Sequence, residues 1–92
     1  MGRRYASLST HLAGQPGPFC ERTLGELAAL LGPAGLPDAA RRSRRWWYND
    51  CAHGQAREGW LAAGWRVADA DLRAGIVTFV RDAGCGGASP TR

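Results

Sequence analysis

Lysine is absent from this 92-residue chain, isoleucine and methionine occur once each, and the cysteines are Cys20, Cys51 and Cys85. No apolar run approaches the roughly 20 residues of a membrane span, which excludes a transmembrane helix within this sequence. The cysteines are odd in number, widely spaced and preceded by no secretory apolar stretch. They therefore exclude a disulfide framework and point to a reduced, cytoplasmic compartment. There is no CxxC pair, no Gly-rich phosphate loop, no serine-nucleophile motif and no paired carboxylates. These absences remove the usual signs of a metal centre, a cofactor or a hydrolase, and the expectation is a protein that is not an enzyme.

What is present is arginine. All 12 basic residues are Arg against 8 acids, giving a net charge of +4 and a pI near 9.6. Arginine forks onto phosphates and guanine edges, so an Arg-only basic surface leans toward an anionic partner. Setting aside the alanines, much of the core must come from the four tryptophans, since each large aromatic buries roughly 150–250 Å². One small domain is the expectation over residues 3–81, followed by a flexible tail over 82–92.

The organising stretch is Leu36 to Asp50, LPDAARRSRRWWYND. On an ideal helix Leu36, Ala40, Ser43 and Trp47 share one side, with Ala39 and Trp46 beside them. Arg41, Arg45 and Asn49 then line the opposite side, flanked by Arg42, Arg44 and Tyr48. Pro37 suits the first helical position and Asp38 the positive end of the dipole, so a helix is expected from Leu36 to Asn49.

The other elements follow in order. Tyr5, Leu8 and Leu12 mark a short amphipathic helix over Arg3 to Ala13, and GQPGP ends it. Phe19 to Arg22 suits an edge strand. Thr23 and Glu26 form a capping box that starts a second helix, lined by Leu24, Leu27, Leu30 and Leu31 and stopped by Gly32-Pro33. Gln55 to Ala63 is expected as a further short helix ending at Gly64. Trp65 to Leu72 and Ile76 to Arg81 form a hairpin around Arg73-Ala74-Gly75, made basic by Arg66, Arg73 and Arg81. The fold class is α+β, a winged helix-turn-helix-like domain with an extra helix before the wing.

The chain also resembles a family of small, functionally uncharacterised bacterial domains. The resemblance rests on Tyr5, Leu8 and Leu12; on the central Leu36, Pro37, Ala40, Arg41, Arg44, Trp46, Trp47 and Asn49; on Gln55, Ala56 and Trp60; on Ala63, Gly64 and Trp65; and on Val77, Thr78 and Phe79. It spans about residues 5 to 81 and implies a shared fold but no activity. The chain departs from the pattern at Ala39, where the resembling domains tend to carry serine.

These features favour a non-enzymatic DNA-binding protein, regulatory or nucleoid-associated. Arg41 and Arg45 would make base or groove contacts, and Arg42, Arg44, Arg66 and Arg73 would meet the backbone. Tyr48 suits stacking or a phosphate bond, whereas Asn49 divides between adenine recognition and capping the helix. Trp46 and Trp47 are expected in the core. The bland alternative is a solvated arginine face, but the helix offers only Asp38 and Asp50 as partners. A second alternative is a module docking an acidic protein, and a third is a small ribonuclease-like toxin using His53.

Overall fold

Local signals set most of the elements in the computed structural model, which describes residues 5–33 and 35–81. Helix α1 spans Ala6–Ala13 and buries Leu8 and Leu12. Strand β1, Phe19–Thr23, runs directly into α2, Leu24–Leu30. The junction is the expected capping box: Thr23 Oγ1 accepts the Glu26 N–H at 3.0 Å, and Glu26 Oε1 accepts the Thr23 N–H at 2.8 Å. Arg3, Arg4 and the expected tail over 82–92, Cys85 included, lie outside the described residues.

The expected helix from Leu36 to Asn49 is not continuous. Helix α3 covers only Asp38–Arg42, Ser43 is extended, and Arg44–Trp47 form a single 3₁₀ turn. The cause is a competition for the Ala40 carbonyl. In an uninterrupted helix that oxygen would accept the N–H of Arg44, four residues on. Here it accepts the indole N–H of Trp47 at 2.8 Å. Breaking the helix lets Trp47 stack on Trp60, with ring centres 5.5 Å apart, while its polar edge stays bonded.

The expected helix over Gln55 to Ala63 is also irregular, with a wide π turn at Ala56–Trp60 followed by a 3₁₀ turn at Leu61–Ala63. Gly64 closes it at φ 84°, a left-handed position that strongly favours glycine. Strands β2, Trp65–Asp71, and β3, Ile76–Arg81, form the hairpin, and β1 pairs with β3. The three strands are antiparallel in the order β1-β3-β2.

A bulge at Ala68 interrupts the β2–β3 register, since Val67 faces Phe79 and Asp69 faces Thr78. Strict alternation from Trp65 and Val67 would turn Asp69 and Asp71 inward. The extra residue shifts the phase, so Ala70 is buried and both aspartates are exposed.

The core lies between the inner sheet face and the helical segments. It includes Leu8, Leu12, Leu27, Leu36, Ala40, Trp47, Trp60, Trp65, Val77 and Phe79. Trp46 is only half-buried, with its ring edge-on to Trp47. Cys20 is a buried free thiol, whereas Cys51 is disulfide-bonded, which departs from the reduced state expected of all three cysteines. No helix among the described residues is long and apolar enough to cross a membrane.

Candidate nucleic-acid interface

Most of the described arginines fall into two groups. Three brace the fold: Arg22 donates to His11 and Gln15, and Arg57 donates to the Cys51 carbonyl. Arg81 binds the carbonyls of Gln15 and Gly17, and its guanidinium lies 4.2 Å from the centre of the Trp65 ring. Arg41, Arg42, Arg45 and Arg73, by contrast, are exposed, and their guanidiniums make no hydrogen bond or ion pair among the described residues. Arg44 has one exposed acidic partner, Asp69 at 3.5 Å, a contact worth at most about 1 kcal/mol.

The four arginines of the central stretch do not line one face. The 3₁₀ turn sends Arg44 toward the open edge of β2, where it walls two adjoining hollows of about 450 and 410 Å³. Tyr48, 57% exposed, stands at the first and Arg73 at the second. Arg44 and Arg73, far apart in sequence, thus share one groove, in which Asp69 and Asp71 offset their charge. Arg66 does not line it. It lies on the outer sheet face, in one cross-strand row with Val80 and Phe19.

Asn49 does not cap the helix, which ends at Arg42, and both ends of its carboxamide are engaged within the fold. Its Nδ2 donates to the Val67 carbonyl at 2.9 Å, and its Oδ1 accepts both the Val67 N–H at 2.8 Å and the Trp60 indole N–H at 2.9 Å. The carboxamide acts as one residue of an extra strand against the edge of β2. Its alignment with Arg41 and Arg45 belonged to the continuous helix and is lost with it.

On the other side of the turn, Arg45 lines a cleft of about 280 Å³ with Ala39, Ser43, Trp46, His53 and Gln55. Ala39, the point of departure from the resembling domains, is therefore in the cleft wall. His53 Nε2 is 4.0 Å from Asp50 Oδ2, and its Nδ1 is buried without a partner. No group of three or more potential metal ligands occurs among the described residues. The cleft was not legible in the sequence, because it forms only where the helix breaks.

Two groups away from these clefts have shifted acidity. Burial raises the Cys20 thiol, against a smaller opposing effect of Arg22. The Thr23 backbone N–H holds the exposed Glu26 carboxyl below its usual range, with the Thr23 hydroxyl and Arg22 adding to the effect.

No curated protein and no solved structure matches the chain. A family model does match, over residues 5–83, and with that span covering all of the described residues the chain belongs to the family described as Domain of unknown function (DUF7662).

Proposed function

We propose that this is a non-enzymatic nucleic-acid-binding domain, with duplex DNA as its first ligand and a winged helix-turn-helix-like use of its elements. The observation that carries the reading is the sorting of the arginines. Three are consumed in bracing the fold, while among the described residues the guanidiniums of Arg41, Arg42, Arg45 and Arg73 stand in solvent without an ion pair. A cationic side chain without an internal partner gains most from a phosphate, because neutralisation releases condensed counterions from the nucleic acid. The element order helix, strand, helix, helix, strand, strand, with the first strand against the last, supports the winged-helix comparison, from which the helical turns between Arg44 and Ala63 depart. In that comparison α3 and its following turn take the place of the reading helix, and the hairpin tip with Arg73 that of the wing. Tyr48 supplies an exposed ring beside Arg44 for stacking or a phosphate bond.

The experiment is fluorescence anisotropy of a labelled random duplex, and of its single strand, at low and near-physiological salt. Duplex binding that weakens steeply with salt is the expected result. Absence of binding to either form at low salt defeats the reading.

One observation favours a second reading, an interaction module for an acidic protein partner. Phe19 is 61% exposed on the outer sheet face and shares its row with Val80 and Arg66. That mixed apolar and basic patch is separate from the groove of Arg44 and Arg73. If nucleic acid does not bind, a pull-down with the intact domain and with Phe19→Ser tests this face.

A further inference from the structure

The geometry points to the cleft beside Trp46 as a pocket for one nucleotide unit, with the base against the indole and the 5′-phosphate on Arg45. This rests on the nucleic-acid reading and narrows it to a site that the arginine pattern alone does not single out.

The floor is apolar and fixed. Trp46 is held by Tyr5, edge-on at 5.8 Å, by Trp47, edge-on at 4.7 Å, and by Trp60 at 6.1 Å. Its half-buried ring lines the cleft with Ala39. An aromatic ring already locked by its neighbours loses little freedom when a flat ligand covers it. Base stacking on such a platform is tolerant of base identity, because every base has a π-face.

The rim carries polar groups with unused capacity. The Ser43 hydroxyl and the Arg45 guanidinium make no hydrogen bond among the described residues. Gln55 gives its Nε2 to the Trp46 carbonyl at 3.0 Å, which leaves Oε1 as an acceptor. His53 Nδ1 is buried and unpartnered among the described residues, although the large majority of buried side-chain polar atoms find a bond. An apolar floor with a few polar groups at its edge is the usual plan of a small-ligand site.

Charge selects the ligand further. None of the described residues lining this cleft is a carboxylate, although Asp50 Oδ2 lies 4.0 Å from His53 Nε2, whereas in the groove along β2 Asp69 and Asp71 offset Arg44 and Arg73. The anion therefore belongs on Arg45. At about 280 Å³ the space falls just below the range of pockets for drug-sized molecules, roughly 300–1,000 Å³, and suits one base with its phosphate. The shared chemistry is a nucleoside 5′-monophosphate unit, free in solution or at the end of a strand.

The test titrates the intact domain with each of the four common nucleoside 5′-monophosphates, with the matching nucleosides and with inorganic phosphate, following tryptophan fluorescence. Saturable quenching is expected with at least one monophosphate, about tenfold tighter than with its nucleoside, as an ionised hydrogen bond supplies. Inorganic phosphate should bind more weakly than either. Arg45→Ala, with its fold checked by circular dichroism, should bind the monophosphate no tighter than the nucleoside. A short single strand with a 5′-phosphate separates the sources: binding tighter than the free nucleotide assigns the pocket to strand ends, and equal or weaker binding assigns it to free nucleotide. No saturable quenching by any of these, or an Arg45→Ala variant that binds like the parent, overturns the inference. Duplex anisotropy run in parallel separates the two readings. Duplex binding without nucleotide binding sinks the pocket alone, and nucleotide binding without duplex binding sinks the duplex reading alone.

Discussion

Asn49 and Val67 are joined across the open side of β2 by a reciprocal pair of hydrogen bonds, 2.9 Å from the amide nitrogen to the carbonyl and 2.8 Å from the backbone nitrogen to the amide oxygen. The same amide oxygen also holds the Trp60 indole N–H. Asn49→Ala strips three polar groups of their partners at once and should destabilise the domain by about 3 kcal/mol. In a domain of this size that lowers Tm by more than about 10 °C. Asn49→Asp keeps the acceptor for both N–H groups and should fall in between. A loss of DNA affinity with unchanged Tm would instead make Asn49 a base reader.

Trp47 serves the fold through two separable properties, its ring and its N–H. Trp47→Phe retains the stack on Trp60 but leaves the Ala40 carbonyl unbonded, at a cost of about 1–3 kcal/mol. Trp47→Ala also opens a cavity and should cost about 3–5 kcal/mol. Urea unfolding followed by circular dichroism distinguishes them. If the two variants are equally stable, the break at Ser43 is not maintained by the tryptophan.

The two groups of arginines should separate in salt titrations. Each of Arg41→Ala, Arg42→Ala and Arg73→Ala is expected to lower the magnitude of the duplex salt slope by about 0.9 with little change in Tm. Arg81→Ala should do the reverse, because it removes the bonds to Gln15 and Gly17 and the contact with Trp65. Equal effects of all four variants on the slope would erase the distinction on which the proposed function rests.

The Glu26 carboxyl titrates below its unfolded value because the Thr23 backbone N–H bonds its charged form. A group depressed in this way stabilises the fold above its unfolded pKa, about 4.3 for glutamate. That contribution fades as pH falls through the folded value. Thermal melts between pH 6 and pH 3 should therefore show a smaller acid loss for Glu26→Gln than for the parent. Parallel melting curves would show that the capping box does not titrate with folding.

What was legible in the sequence was local. The Thr23 and Glu26 box needs only residues three apart, Gly64 and Gly75 occupy left-handed positions that glycine suits, and Leu8, Leu12, Leu24 and Leu27 follow helical spacing into the core. The central stretch misled for a physical reason. Its periodicity is helical, but the competitor for the Ala40 carbonyl is an indole whose ring is drawn away by Trp60, a residue of another segment. No spacing rule contains that choice, and the fates of Asn49, Arg44 and Arg45 all follow from it. The arginines were legible as residues but not their division, because the carbonyls that bind Arg81 and the ring beneath it come from distant parts of the chain.

The bulge at Ala68 also shapes how this domain can change over generations. Most substitutions on the exposed face of β2 alter one side chain, and loss of the Ala68 codon would leave an unbroken ladder in which Asp69 still pairs with Thr78 and Ala70 with Val77. The inward places would keep their apolar residues. The length of β2 is thus open to a one-residue loss at Ala68, and insertions have their natural home in the loop at Arg73 and Ala74, where both residues are exposed.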